Sequence, residues 1–549
     1  MPTTPPNTAP ESIFDIIIYG GTASAVAAAI QADRMGKRTA LISPDRHLGG
    51  MVTSGLGWTD SKNGDAIGGI AREFHHRVWK HYNQSTAWTR EERSFYQANV
   101  HAQPGPTIDD ARQVMWTHEP HIAEKIFEDW LKETRVVIHR DEWLDRAQGV
   151  EVVDRQIRGI RTLSGRTFRA AMFIDATYEG DLMAASGVSH RIGRDRLDDY
   201  NEPLNGIHFN HNSGTLFTGI SPYKVPGDPD TGLIAGIEGE MPAGEKAGDA
   251  DTRLQSFNLR LCLTDVVDNR IPIPKPDDYD EARYELLFRL NETGENPGFN
   301  DKRMPNGKTD SNNHGALSLD YVGGNFSIAG GWNYSESSYE IREQINRDHL
   351  SYTHGLLWSL INHPRIPESH RAEWSRYGLP KDEFLDNGHW PHQVYVREAR
   401  RLCGVHVMTQ HHVQCSPGFD VPDSIGLGSY SLDSHRVRRV VKDGVIWSEG
   451  GFYLFSEKTY PISYGSILPN KEEIENLLVP VTLSATHVAF GSIRMEPTYM
   501  ILGQSAATAA VIALEQQVPV QDVPYVRLSS RLKTDKQVLE CEEIERPDK

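Results

Sequence analysis

The chain has 549 residues, too many for one hydrophobic core, and its 38% apolar and 24% charged content is that of an ordinary globular protein, so two domains are expected. A formal net charge of -18 argues against nucleic acid or an anionic membrane as partner. The opening MPTTPPNTAPES lacks a basic patch and an apolar core, so residues 1–12 read as a disordered tail rather than a signal peptide, and no stretch approaches the ~20 apolar residues that span a bilayer. Cys262, Cys403, Cys415 and Cys541 form no C-x-x-C pair, which fits a reducing, cytoplasmic setting; sequons such as Asn325-Phe326-Ser327 occur by chance.

Residues 14–43 give the first element. The β-branched run Ile16-Ile17-Ile18 ends at Gly20-Gly21, an alanine-rich helix runs from about Ser24 to Met35, and a second apolar strand spans Thr39 to Ile42. Strand, glycine turn, helix and parallel strand within about thirty residues make a unit that seats a pyrophosphate at a helix N-terminus. Thr22 and Ala25 replace two of the usual glycines, and Ser43-Pro44 stands where an acidic ribose ligand is usual.

The glycine-rich segment Arg46 to Asp60 predicts irregular structure, and Ile70, Phe74 and Val78 share a helical face. A helix from Glu119 to Thr134 follows, opened by Pro120, then a strand from Val136 to His139. GVEVVDR, IRGIRTL and RTFRAAMFIDAT read as a meander with a turn at Ser164-Gly165, its last strand buried and ending at Asp175. This order resembles flavoproteins of the glutathione-reductase type. From Arg191 to about Glu475, Pro-, Gly- and Asp-rich loops (residues 221–251, 269–280 and 291–315) alternate with helices such as Tyr339 to Leu360. Trp332, Tyr334, Tyr339, Tyr352, Trp358, Trp374, Trp390 and Tyr395 give this part an aromatic character suited to a substrate domain.

A parallel strand, Leu477 to Val481, precedes a further strand delivering His487, Gly491 and Arg494 to a helix that starts near Glu496-Pro497 and ends near Glu515. The partial positive charge of such a helix start suits an anion developing on a reduced flavin. The string Gly503-Gln504-Ser505-Ala506-Ala507 lies inside that helix, which excludes a hydrolase nucleophile elbow. The fold class expected is therefore α/β: a Rossmann-like domain with a parallel sheet and β-meander from residues 13–190 and 476–549, and a mixed α+β inserted cap from residues 191–475.

YGGTASAVAAA, RHLGGMVTSGLG, DATYEGDL, FNLRLCLT, REARRLCG, DSIGLGSYSLDSH and AFGSIRMEPTYMILGQSAATAA, in that order along the chain, resemble the FAD-dependent oxidoreductase family, some of whose members are labelled xanthan lyase. The resemblance implies FAD as cofactor. It implies Gly20, Gly21, Thr22, Ala23 and Ser24 at the pyrophosphate, Gly49 and Gly50 beside the isoalloxazine, and Asp175, Ala176 and Thr177 at the strand end under the adenosine side. Gly503 belongs, on the same grounds, to a flavin-facing helix. Ser43, or else Asp45, takes the ribose. Hydride removal from an alcohol or amine needs a base, for which His435 and His487 are the candidates; Arg397 and Arg494 suit a substrate oxygen or carboxylate, and Tyr430 a hydrogen bond. His47 is a candidate for covalent flavin attachment, with non-covalent FAD as the expectation. No metal is expected, because His389 and His392, or His406, His411 and His412, lack acidic or cysteine partners at ligand spacing. The reading is an FAD-dependent oxidoreductase acting on a small polar molecule (alcohol, amine or sugar-like) and reoxidised by oxygen or another acceptor, as an oligomer or monomer. The alternatives are a nicotinamide-using monooxygenase or hydroxylase, and a flavin-binding scaffold without catalysis.

Overall fold

The computed structural model describes residues 12–209, 216–240, 242, 244–314, 317–323 and 334–541. Trp332 and the Asn325–Ser327 sequon lie outside them, as does the N-terminal tail except Ser12, which starts the first strand. The first unit follows the sequence pattern: β1 (Ser12–Tyr19), α1 (Ala23–Arg34) and β2 (Thr39–Ile42). Continuous apolar runs form β1 and β2 because both faces are covered, as in a parallel sheet. β3 (Val137–His139), β4 (Val150–Val153), β5 (Gln156–Arg161) and β6 (Thr167–Asp175) complete a sheet of order β3-β2-β1-β6-β5-β4. The first four strands of that order are mutually parallel, with Tyr19 level with Ile42 on one side and with Asp175 on the other.

Strand β6 divides its pairing. Thr167 to Arg169 run antiparallel to the meander, whereas Phe173 and Ile174 run parallel to β7 (Leu477–Leu478). The expected strand from Leu477 to Val481 is thus cut to two residues, and Pro480, which has no N–H to give, follows closely. His487 and Gly491 lie on a helix rather than the expected strand: α2 (His487–Ile493), capped by Thr486, whose Oγ1 accepts from Ala489 N, with Arg494 just past its end. Gly491 is needed there because a Cβ would stand 2.5 Å from Asp433 O.

The helix α3 (Glu496–Gln516) crosses α1 at very short range. A Cβ on Gly503 would lie 2.2 Å from Ser24 O, so the glycine serves helix–helix approach. With 21 residues and an 18-residue window of mean hydropathy 1.3, α3 is by length and composition long and apolar enough to cross a membrane, contrary to the expectation that no stretch approaches this. Its polar residues disguise the length in sequence. They are bonded inside the protein, with Gln504 Oε1 accepting from Ile70 N and Ser505 donating to Ile425 O, and the helix is buried almost throughout.

Two of the expected loop regions contain hairpins. Tyr223–Val225 pairs with Asp228–Leu233, and Gly298–Met304 pairs with Lys308–His314, which also pairs with Leu261–Thr264. The second hairpin escapes periodicity rules because its buried positions are charged: Asp310 holds Arg260, and Lys308 Nζ sits 2.8 Å from Glu119 and 2.6 Å from Glu383. The Tyr339–Asn362 helix forms as expected, and a continuous apolar core joins it to the residues around α1 and α3. Gly503→Val is expected to lower stability by about 1–3 kcal/mol through overpacking; an unchanged thermal melting temperature would show that the α1–α3 crossing is not tight.

Candidate active site

A cavity of about 830 Å³ opens where β1, β2 and β6 end, lined among others by Gly21, Thr22, Asp45, His47, Thr177 and Tyr178. Parallel α/β sheets place ligand clefts at these carboxyl ends. Gly20 has φ +129°, and a Cβ there would strike Ala176 O at 2.5 Å, so the turn runs hard against the end of β6. Thr22 fixes the contact: its Oγ1 donates to Ala176 O (2.8 Å) and accepts from Ala25 N (3.2 Å) as the cap of α1. Ala23 and Ser24 form the first turn, where Ser24 Oγ is buried without a partner. Gly49 N donates to Gly21 O (2.7 Å), and Gly50 lies where a Cβ would meet the Tyr178 hydroxyl at 2.3 Å.

Two expected cofactor residues turn away from the cavity. Ser43 is fully buried and its Oγ accepts from Asp45 N (2.9 Å), so Asp45, not Ser43, presents to the cavity. Burial pushes the Asp45 carboxyl up to about 6, against a hydrogen bond from Gln393. Asp175 is spent on its own turn, accepting from Thr177 N, Thr177 Oγ1 and Met183 N; burial raises it to about 6 against these bonds. Thr177 is the member of that trio on the wall.

One side of the cavity is the extended segment 394–397. Val394 and Val396 line the cavity, while Tyr395 and Arg397 bond into a buried charged cluster. Asp320 organises this cluster, taking His435 Nδ1 at 2.7 Å and Arg397 Nη2 at 2.9 Å. Burial alone would push Asp320 up, but Arg397, His435 and Arg436 outweigh it and hold the carboxyl below its ordinary value. Asp433 stands 3.7 Å from His435 Nε2 and 3.7 Å from Arg494, whose Nη1 donates to Tyr395 OH (2.9 Å). Tyr430 is buried beside the same groups; burial, then Asp60 and Asp433, raise its phenol. Thus His435, Arg397, Arg494 and Tyr430, scattered over about a hundred residues, meet.

His487, the other expected base, has partners at both ring nitrogens. Its Nδ1 is 2.8 Å from Glu398, its Nε2 is 3.0 Å from Ser434 Oγ, and it is fully buried. With both nitrogens engaged it pins α2 to the 432–434 strand. Sequence reasoning missed Asp320, Asp433 and the pair Tyr178–Glu496, in which Tyr178 OH donates to Glu496 Oε1 (2.5 Å). Asp433 could have been found as the D-x-H pair with His435, whereas Asp320 lies 115 residues from that histidine and carries no spacing signal.

The histidine near the glycine loop has acidic partners that sequence spacing did not show. His47 Nδ1 lies 2.6 Å from Glu124, its Nε2 lies 3.0 Å from Asp386, and its ring stacks on His392 at 3.5 Å. Ligand atoms of His47, Glu124 and His392 all lie within 4.8 Å of one another. In a second cluster, Glu119, His121 and Glu383, the Lys308 ammonium fills the position a cation would take. His389 Nδ1 meets Glu383 O, His411 meets Asn201 O, and His406 and His412 contact each other edge to face.

The profile of the FAD dependent oxidoreductase family matches residues 15–532. The chain belongs to that family. Its members' cofactor is FAD, and this protein is an FAD-dependent oxidoreductase. No curated protein matches it. Solved structures with partial likeness include L-proline dehydrogenase from P.horikoshii (15% identity, 34% of this chain, 59% of that one, TM-score 0.23). PqsL of P. aeruginosa in complex with 2-aminobenzoylacetate is 13% identical over 30% of this chain and 42% of that one, with a TM-score of 0.21. T. acidophilum thioredoxin reductase is 14% identical over 34% and 37%, with a TM-score of 0.17. The chain covers less than two-thirds of each of them.

The residues present fit FAD. The cavity lies at the start of α1, the turn beside it tolerates no side chain at Gly20, and Ser24 Oγ and Glu496 Oε2 are buried without partners in the described residues. Glu496 is in the first turn of α3, and burial pushes it up to about 8 against the Tyr178 hydrogen bond. The fold therefore prefers its protonated form, and the stability this carries is present below the ordinary carboxylate range and lost as pH rises through about 8. Glu496→Gln fixes the neutral form. Its melting temperature is expected to match the wild type near pH 5 and to exceed it above pH 8, by on the order of a few kcal/mol in stability; parallel curves for the two proteins would contradict the assignment.

Proposed function

We propose that this enzyme oxidises a small polar substrate carrying an O–H or N–H group, with His435 as base. When bound, FAD supplies a two-electron acceptor that takes the hydride from the substrate's C–H bond. The chain's part is to hold, orient and deprotonate. Gly21, Thr22 and the first turn of α1 would hold the pyrophosphate, Asp45 the ribose hydroxyls, and Tyr178 with Glu496 the ring end.

The observation that carries this reading is the shared wall. Residues 394–397 face the cavity with Val394 and Val396 and face the charged cluster with Tyr395 and Arg397. A second bridge runs through Tyr178, which lines the cavity, bonds Glu496 and lies 6.1 Å, ring to ring, from Tyr499. These two bridges support placing the substrate's reacting end on the far side of this wall from the cofactor.

His435 is oriented for its task. Asp320 accepts from Nδ1–H, which leaves the Nε2 lone pair to take the substrate proton while the C–H bond breaks and a C=O or C=N bond forms. Asp320 stays ionised and stabilises the imidazolium that results. Gln255 Oε1 accepts from His435 N (3.1 Å) and fixes the backbone of the base. Arg494 and Tyr430 are set to hold the substrate oxygen. Electrons would leave to oxygen or another external acceptor, since the described residues contain a single parallel sheet and no second dinucleotide unit.

His435→Asn is expected to slow anaerobic flavin reduction by roughly 10²–10⁴-fold with little change in substrate affinity, followed by stopped-flow absorbance with any substrate that reduces the wild type. Reduction at the wild-type rate would remove His435 from the chemistry.

A further inference from the structure

His47 and His392 form a pair that no step of the proposed reaction uses. Their rings stack face to face, 3.5 Å between centres and 6° from parallel. Each nitrogen of His47 meets a carboxylate: Nδ1 lies 2.6 Å from Glu124, on the helix Pro120–Lys132, and Nε2 lies 3.0 Å from Asp386. Neither carboxylate has a lysine or arginine partner among the described residues. His392 is the unexplained member. Its side chain is only 10% exposed and packs on His47 and edge-on to Phe384, yet neither of its nitrogens hydrogen-bonds a described residue; the nearest carboxylate is Asp386, 3.8 Å from Nε2.

Charge and donor type point to what completes this group. Two carboxylates flank His47, and a single imidazolium there leaves one negative charge over. A divalent ion balances both carboxylates while the two histidines stay neutral, the form in which imidazole ligates. Two imidazole nitrogens and a carboxylate oxygen suit zinc and its first-row neighbours, whereas magnesium and calcium take oxygen ligands. Ligand atoms of His47, Glu124 and His392 already lie within 4.8 Å of one another. A tetrahedral zinc shell, with bonds of about 2.0–2.1 Å, holds its donors roughly 3.4 Å apart. Both histidines sit outside helices and strands, so turning the two rings out of their stack closes that gap. The neighbouring cluster makes the contrast: around Glu119 and Glu383 the Lys308 ammonium supplies the positive charge, and here no described lysine or arginine does.

We propose that His47, Glu124 and His392 form a zinc-type divalent metal site beside the cofactor cavity, with water completing the shell and Asp386 orienting His47 from outside it. His47 Nδ1, a Glu124 oxygen and a His392 nitrogen are the three protein ligands, and the proton shared by Nδ1 and Glu124 leaves to solvent as the ion enters. His47 Nε2–H then donates to Asp386, an arrangement that fixes the tautomer and direction of a ligating imidazole. The acidic partners expected to be missing around His392 thus come from Glu124 and Asp386, and only the first is close to it as a ligand. The ligands belong to the loop before Gly49-Gly50, the helix Pro120–Lys132 and the segment after Phe384, so the ion ties the cofactor loop to the inserted residues. His47, Asp386 and His392 all line the cavity, which puts this tie at its wall. The site stands independently of the hydride-transfer reading.

The test strips the FAD-loaded protein with EDTA, removes the chelator and titrates in Zn²⁺, reading retained metal by mass spectrometry after gel filtration together with the melting temperature. The wild type is expected to retain zinc and to melt higher in a saturable way as zinc is added. His392→Phe keeps a ring in the stack and deletes one ligand. It is expected to melt like the metal-free wild type, since His392 has no hydrogen bond to lose, and to bind zinc at least about tenfold more weakly. Glu124→Gln is expected to lose zinc affinity in the same way, and it carries the comparison if His392→Phe does not fold. Wild-type retention with that loss in the folded variants sustains the proposal. A wild type that retains no zinc overturns it, and so does zinc binding by the folded variants equal to that of the wild type.

Discussion

The hydroxyl of Thr22 ties the glycine turn to the end of the neighbouring strand, and the cofactor cavity depends on that tie. One oxygen donates to Ala176 O and accepts from Ala25 N, so it caps α1 and locks the helix start against β6 together. A third glycine at this position could do neither. The close approach then requires Gly20, whose φ of +129° and lack of Cβ let the backbone pass Ala176. The same α1 is gripped from its other side by α3 at Gly503, so the two ends of the chain converge on one short helix. The cavity is what remains between these rigid contacts.

The charged cluster obeys a different constraint. Taking so many ions out of water is tolerable only where each meets a partner. Two histidines show how finely this separates structure from chemistry. His487 and His435 each bond a buried carboxylate, Glu398 and Asp320, through Nδ1. The second nitrogen of His487 is taken by Ser434, whereas that of His435 stands 3.7 Å from Asp433. The first has both ring nitrogens hydrogen-bonded, and the second has one ring nitrogen facing a carboxylate at longer range. Gln255 spans them, its Oε1 accepting from His435 N and its Nε2 donating to Glu398, which keeps the two imidazoles in a fixed relation.

Local pattern made the cofactor unit legible. β1, α1, β2, the meander and α3 announce themselves through β-branched runs, alanine content and glycine turns, because their neighbours in space are also near in sequence or meet a uniformly apolar face. The inserted part resists such reading for a physical reason. Its buried hairpin at residues 298–314 carries Lys308 and Asp310 inward, so apolar alternation is absent where the strand is most enclosed. At the site, His435, Arg397, Arg494 and Tyr430 can be named from residue type and position. Asp320, which gathers two of them, lies 115 residues from His435 and has no motif. β2 ends at Ile42 as read from the sequence, and of the two ribose candidates after it Asp45 lines the cavity while Ser43 Oγ accepts from Asp45 N.

The proposed reaction has the FAD reduced by the chain's own substrate and not by a nicotinamide. Anaerobic mixing of the purified yellow protein with a panel of small alcohols, amines, sugars, 2-hydroxy acids and 2-amino acids tests it directly, with absorbance at the flavin band as the readout. Full bleaching by at least one such compound without NADH or NADPH is the expected result. Bleaching by NADH or NADPH alone, with the whole panel inert, would contradict it and mark the enzyme as a monooxygenase.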